Sequence, residues 1–125
     1  ISYATKIAAQ IPELYMYSGN DDMIVPMMSL GAKGVISVVA NVAPEDTHNL
    51  CEYCLNNDFA SACKMQLDML DLVNNLFIEV NPIPVKTALG LMGYNVGNLR
   101  LPLCDMEPQN LEKLKTSMKN YGLIK

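Results

Sequence analysis

The sequence predicts an α/β fold, the last part of a (β/α)8 TIM barrel that continues into a helical extension. Two short apolar stretches at 14–17 and 35–39 indicate strands, and helical spacing of apolar residues at 1–11 and 21–30 precedes each of them. Helices between strands make the strands parallel, and a parallel sheet needs cover on both faces. A complete barrel takes about 250 residues. We therefore expect these 125 residues to form part of one.

The stretch at 35–39, within GVISVVANVAP, carries the strongest strand signal. It is short and β-branched, as in a strand buried on both faces. Pro44 suits the first position of a following helix, and Glu45 and Asp46 suit the positive end of its dipole. A buried strand, a loop and a helix make a βα unit, and ligands usually bind at the loop after the strand.

The second part of the chain is expected to be helical. Helices are predicted at 58–77, capped by Asp58, at about 84–92 and at about 107–121. We therefore divide the chain into the last βα units of a barrel at 1–57 and a helical extension at 58–125. In the first part, the helix at 21–30 is expected to be capped by Asn20, Asp21 or Asp22.

Composition excludes two classes of partner. The 9 Lys and Arg residues are scattered among 13 Asp and Glu, and the net charge is −4, whereas nucleic-acid binding needs a basic stripe. No apolar run reaches the roughly 18 residues that a membrane-spanning helix needs, and no signal peptide is visible. We therefore expect a soluble, cytoplasmic protein.

The four cysteines have two interpretations. Cys51 and Cys54 are spaced as half a zinc site or a redox pair. However, they lie in a helical pattern, and the sequence has no second C-x-x-C or histidine pair to complete a zinc site. Free cysteine is among the residues most often buried. We expect all four, which include Cys63 and Cys104, to be buried core thiols, with no metal and no disulfide. The one histidine, His48, is expected on the surface.

Four stretches of the sequence carry a family resemblance. They are YSGNDD at 17–22, LGAKGVISVVANVAP at 30–44, NPIPVK at 81–86 and LRLPL at 99–103. In this order and spacing they resemble the C-terminal half of the dihydrodipicolinate synthase family, a group of class I aldolases that includes N-acetylneuraminate lyase. NPIPVK and ANVAP favour the synthases over the lyases.

The resemblance implies both a fold and an activity. Members are (β/α)8 barrels with a C-terminal helical extension, usually homotetramers, and 14–18 and 34–39 would be strands seven and eight. They condense pyruvate with aspartate-semialdehyde to 4-hydroxy-tetrahydrodipicolinate, the first committed step towards diaminopimelate and lysine, without a cofactor. Pyruvate is held as a Schiff base on a lysine of strand six. An N-acetylneuraminate lyase-type aldolase and a non-catalytic half-barrel module are the alternatives.

Two positions match the family's substrate contacts. The main chain around Ile36 matches a pyruvate-binding position, and Gly19 matches a glycine beside the substrate. A carboxylate and a Schiff base need close backbone approach and a dry wall, which Gly and a buried Ile provide. Ile36 as barrel core and Gly19 as a strand-ending turn are the structural alternatives. Asn81 and Pro82 match a family signature that would shape the wall near the barrel mouth.

A Schiff-base lysine is not evident among residues 1–125. Such a lysine sits at a strand end in an apolar pocket that lowers its pKa, and the family's Gly-x-Lys context would fall just before Ile1. Lys6 is on a helix, Lys33 precedes the second strand, and Lys86 begins a helix. We expect this chain to be a piece of a longer one and inactive alone. Its open strand edges predict a homo-oligomer, or association with the rest of the barrel.

Overall fold

The computed structural model describes all residues 1–125 and is built from seven α-helices. Two short 3-10 turns lie at Asp21–Met23 and Val39–Asn41. The helices are α1 (Ser2–Gln10), α2 (Ile24–Ser29), α3 (Pro44–Leu55), α4 (Phe59–Asp68), α5 (Leu70–Leu76), α6 (Ile83–Leu91) and α7 (Pro108–Tyr121). None of these helices is both long and apolar enough to cross a membrane.

The two stretches expected to be strands lie side by side in parallel, but neither is a regular strand. Ser18 and Val35 form an isolated parallel bridge. The amide of Ser18 donates to the Gly34 carbonyl at 2.9 Å, and the amide of Ile36 donates to the Ser18 carbonyl at 2.8 Å. The prediction of strands over 14–17 and 35–39 is therefore wrong as made. The second stretch turns into a 3-10 helix at Val39, so the pairing stops after a few residues.

The burial of the second stretch also differs from the prediction. Val39 is fully buried, and its 3-10 turn packs against α3, α5 and α6. Ile36 is 72% exposed, so the expectation that 35–39 is buried on both faces is wrong within residues 1–125. The physical reason is that no part of the described chain covers the side on which Ile36 lies.

Local sequence signals fix the starts of α3 and α4. Pro44 occupies the first turn of α3 with Glu45 and Asp46, as predicted. Asp58 caps α4, since its Oδ1 accepts the Ser61 amide at 3.1 Å. The side chain of Ser61, and then its amide, lower the pKa of Asp58.

The predicted helix over 58–77 is two helices, because it is interrupted at Met69. The Met69 amide still donates to the Met65 carbonyl, and the Met69 carbonyl still accepts from Val73. The prediction of one continuous helix is therefore wrong by a single residue.

One hydrophobic core holds both parts of the chain together. It contains 20 buried residues and draws on Ile24, Val39 and Leu50 as well as Leu72 and Leu114. α3 packs against α2 and α4, and α7 packs against α5 and α6. The boundary between 1–57 and 58–125 therefore does not separate two cores, and the division itself stays a prediction.

The first 36 residues carry a set of exposed large apolar side chains. α1 buries no residue at all. This exposed apolar set belongs to α1, to the turn after it and to the two paired stretches. It comprises Tyr3, Ile11, Leu14, Tyr15, Tyr17 and Ile36.

Candidate functional site

Gly19 and Ile36 lie next to each other at the end of the paired stretches. The Ile36 amide donates to the carbonyl of Ser18, the residue before Gly19. The Ile36 carbonyl accepts no backbone hydrogen bond, and no side chain of the chain donates to it. A main-chain acceptor without a partner and an exposed glycine therefore share this edge.

Nothing in the chain itself requires a glycine at position 19. A Cβ added to Gly19 would meet no atom within 4 Å, and its φ does not lie in the left-handed region. Gly34, by contrast, has φ +154, and a Cβ there would lie 3.6 Å from the Tyr17 ring. The positive φ therefore explains Gly34, since a Cβ there would make only an ordinary contact with the Tyr17 ring. Gly19 is left without such a reason within residues 1–125.

Ser18 folds the loop that follows it. Its side chain is buried at 2% exposure. The hydroxyl donates to the Asn20 carbonyl at 2.7 Å and accepts the Asn20 amide at 3.2 Å. These two bonds hold the loop that carries Gly19 in a tight turn.

Asp21 connects this loop to the end of the second stretch. Its Oδ2 accepts the amides of Val38 at 3.0 Å and Val39 at 3.1 Å, and its Oδ1 is buried with no partner. The prediction that Asn20, Asp21 or Asp22 caps the next helix is wrong, because none makes a side-chain cap there. Asp21 instead caps the turn that follows Ile36.

A cleft of about 350 Å³ opens beside this loop. Its lining residues are Asn20, Asp21, Asp22, Val73, Asn74 and Phe77. Asn20, Asp21 and Asp22 lie on the loop side, and Val73 and Asn74 of α5 and Phe77 just after it lie opposite. The cleft therefore places the polar loop opposite a mixed wall, with Val73 and Phe77 as its apolar part, at the carboxyl end of the first stretch.

The lysines lie away from the carboxyl ends of the paired stretches. Lys33 is exposed at the start of the second stretch, with its Nζ 6.0 Å from the centre of the Tyr15 ring. Lys86 lies in α6 and donates to the Asn98 carbonyl at 2.8 Å. No lysine occurs at 18–22 or 36–43, so the loops after the two stretches contain no amine nucleophile.

The cysteines differ from the prediction of four buried thiols. Cys54 is buried and Cys51 is partly buried, but Cys63 and Cys104 are exposed. The prediction is wrong for those two, since Cys63 lies on an outer face of α4 and Cys104 lies in the irregular segment before α7.

Burial also changes the acidity of the two inner thiols. It raises the pKa of Cys54 to about 11, and Cys51 and Cys63 add to that rise. Burial and Glu52 raise the pKa of Cys51. Both groups are therefore protonated at neutral pH. His48 is exposed, as predicted.

The comparisons with known proteins show the family. The model of the dihydrodipicolinate synthetase family matches residues 1–121, and the chain belongs to that family. Among curated relatives, 4-hydroxy-tetrahydrodipicolinate synthase 1 of Clostridium acetobutylicum is 52% identical over 126 residues, covering 100% of this chain and 43% of that protein. The resemblance inferred from the four sequence stretches is thereby confirmed.

Solved structures agree with this assignment. Dihydrodipicolinate synthase from Aquifex aeolicus matches with a TM-score of 0.94 and 42% identity, over 98% of this chain and 42% of that one. The chloride-inhibited enzyme from Acinetobacter baumannii, complexed with pyruvate, matches with a TM-score of 0.93 and 37% identity, over 99% of this chain and 43% of that one. This chain thus spans about two fifths of the relatives it matches.

The matched structures are TIM barrels, which confirms the predicted fold class at that level. The numbering of the paired stretches as strands seven and eight stays a prediction.

Proposed function

We propose that the chain supplies the C-terminal part of a pyruvate-dependent synthase. The whole enzyme condenses pyruvate with aspartate-semialdehyde to 4-hydroxy-tetrahydrodipicolinate in lysine and diaminopimelate biosynthesis, in the cytoplasm. The family match and the names of the relatives support this activity. They do not favour the N-acetylneuraminate lyase alternative.

In this proposal Gly19 and the main chain at Ile36 contact pyruvate. The observation that carries this role is the juxtaposition of an unpartnered Ile36 carbonyl with a glycine that the chain itself does not need. A small keto acid that approaches the backbone closely would account for both. The Acinetobacter baumannii relative, solved with pyruvate, makes this ligand the natural candidate.

Residues 1–125 do not supply the nucleophile in this proposal. A neutral amine attacks the pyruvate carbonyl carbon, water leaves, and a Schiff base forms, which requires a lysine in an apolar pocket at a strand end. The loops at 18–22 and 36–43 hold no lysine. The chain therefore contributes substrate-binding main chain and forms no Schiff base by itself.

The exposed apolar set supports association with further barrel strands. Ile36 is 72% exposed and Tyr17 is 53% exposed, although both lie beside paired backbone. Parallel strands are normally covered on both faces. We infer that the paired stretches take the places of strands seven and eight of a barrel, and that the rest of a barrel or a second copy of the chain covers this side.

A substitution at Gly19 tests the substrate role. Residues 1–125 would replace the matching segment of the Clostridium acetobutylicum synthase, because the alignment covers the whole chain. In this chimera Gly19→Ala adds a Cβ that meets no atom of residues 1–125 within 4 Å. We expect the KM for pyruvate to rise at least tenfold while the melting temperature stays unchanged.

Gly90→Ala is the matched control. A Cβ at Gly90 also meets no atom within 4 Å, and Gly90 lies in α6, far along the chain from the loop. Replacing a helical glycine by alanine stabilises by about 0.5–1 kcal/mol, so we expect no loss of pyruvate binding. A Gly19→Ala chimera with an unchanged KM would contradict the proposed contact.

A further inference from the structure

Gln66 is a buried polar residue that joins the helical extension to the loop after the first stretch. It lies on α4 and is 9% exposed. Its Nε2 donates to the Asp21 carbonyl at 2.9 Å, and its Oε1 accepts the Val25 amide at 2.8 Å. A buried amide is costly unless both ends are bonded, and here both are. Gln66 thus fixes Asp21 from a position 45 residues away.

Asp21 transmits this restraint to the second stretch. While its carbonyl accepts from Gln66, its Oδ2 accepts the amides of Val38 and Val39. Ile36 is thereby held from two sides, since its own amide donates to Ser18 and Val38 is anchored two residues later. The orientation of the Ile36 carbonyl therefore depends on where Asp21 lies.

We propose that Gln66 is a positioning residue for the substrate-binding main chain at Ile36, acting through Asp21. This rests on the proposed function, in which that main chain contacts pyruvate. Gln66 fixes the position of the Asp21 backbone, and the Asp21 carboxylate fixes the positions of the Val38 and Val39 amides. These amides in turn fix the orientation of the main chain that precedes them. A helix outside the barrel units thus determines how well pyruvate is bound.

Two substitutions at Gln66 separate its hydrogen bonds from its packing. In the chimera with the Clostridium acetobutylicum enzyme, Gln66→Leu keeps a similar volume and removes both bonds. Gln66→Glu keeps the acceptor towards Val25 but places an ionised oxygen against the Asp21 carbonyl. Met69→Leu is the control, because Met69 is buried at 2% exposure and its side chain makes no hydrogen bond.

The first readout is hydrogen exchange at the amides of Val38 and Val39. We expect exchange about five- to tenfold faster in Gln66→Leu, the effect of weakening one hydrogen bond to a charged acceptor. Met69→Leu leaves it unchanged. Unchanged exchange in Gln66→Leu overturns the coupling between Gln66 and this segment.

The second readout is the split between KM for pyruvate and kcat. We expect Gln66→Leu to raise KM about five- to tenfold with little change in kcat, because the lost restraint acts on ground-state binding. Gln66→Glu raises KM at about pH 8 and recovers towards about pH 6, since a buried, protonated carboxyl can donate to the Asp21 carbonyl again. If Gln66 contributes to stability alone, the KM of Gln66→Glu for pyruvate does not depend on pH in this way.

The outcomes distinguish this inference from the proposed function. Faster exchange with a pyruvate KM equal to that of Met69→Leu overturns the substrate role of Gln66. An unmutated chimera that folds but binds no pyruvate refutes the proposed function, and the substrate role of Gln66 falls with it. The exchange of Val38 and Val39 still decides the coupling in that case.

Discussion

The Tyr121 hydroxyl donates a 2.8 Å hydrogen bond to Oδ2 of Asp46, joining the last turn of α7 to the first turn of α3. The two residues are 75 positions apart. Burial, this hydrogen bond and the charges of Asp46 and Asp68 together raise the pKa of Tyr121. The contact ties the end of the helical extension back to the helix that follows the candidate site.

Removal of this hydroxyl should destabilise the fold modestly. Tyr121→Phe deletes a hydrogen bond to a charged acceptor and leaves the Asp46 carboxylate less well satisfied, at a cost of about 1–2 kcal/mol. Thermal unfolding of the chimera should shift down by about 2–4 °C. Tyr53→Phe is the control, because Tyr53 lines a pocket together with Asp46 and Tyr121 and donates no hydrogen bond from its hydroxyl. Equal shifts in the two variants would contradict the role of the bond.

Stability should fall at high pH through the same residue. The folded pKa of Tyr121 lies above the unfolded value of about 10, so the folded state holds this proton more tightly. The contribution is complete below about pH 10 and is lost as pH rises above it. The free energy of unfolding should decrease less steeply above about pH 10 in Tyr121→Phe than in the unmutated protein. Parallel pH profiles would contradict this linkage.

Thiol reactivity should follow burial. Cys63 and Cys104 are exposed, Cys51 is partly buried, and Cys54 is buried with its pKa raised to about 11. Because only the thiolate reacts, we expect a maleimide to label Cys63 and Cys104 first, Cys51 more slowly, and Cys54 only after unfolding. Peptide mapping over a time course gives the order. Native labelling of Cys54 at the rate of Cys63 would show that the thiol is accessible.

Glu79 should stabilise the start of α7. Its Oε1 accepts the Glu107 amide at 3.0 Å and the Asn110 side-chain amide at 2.9 Å, which satisfies a backbone donor that the helix itself leaves unbonded. We expect Glu79→Ala to cost about 1 kcal/mol in urea unfolding. Glu107→Ala, which removes an exposed carboxylate and keeps that amide, should cost less. The opposite order would rule out a cap.

Local features of this structure could be predicted, and those that depend on distant residues could not. Pro44 at the start of α3 and Asp58 as a cap depend on neighbours within four residues. The contacts of Asp21 with Val38, and of Gln66 with Asp21, span 17 and 45 residues. No periodicity encodes them. An Asp that follows an extended segment can cap either the next helix or a distant turn, and the sequence pattern is the same in both cases.

Burial at the candidate site shows the same limit. The apolar run around Ile36 correctly indicated a segment that pairs in parallel, but it does not say which residues cover that segment. Ile36 is exposed while Val39, three residues later, is fully buried. An apolar side chain indicates a need for cover, and only tertiary contacts reveal where the cover lies.

The exposed apolar set should be covered only when residues 1–125 associate with another chain. We expect residues 1–125, studied by themselves, to form a homo-oligomer, with two-fold pairing as the commonest closed arrangement. Exposed edges with apolar flanks recruit other chains. Light scattering at micromolar concentration gives the mass. A monodisperse 13.8 kDa monomer with cooperative unfolding would show a self-sufficient domain.

Reductive trapping with borohydride and pyruvate tests the central claim most directly, namely that residues 1–125 provide substrate-binding main chain without the Schiff-base lysine. Intact mass and peptide mapping identify any adduct. We expect no adduct on residues 1–125 alone, and one reduced pyruvate in the chimera with the Clostridium acetobutylicum enzyme, on a lysine outside these residues. A reduced pyruvate on Lys33, Lys86 or any other lysine of residues 1–125 would contradict it, as would a folded chimera that traps none.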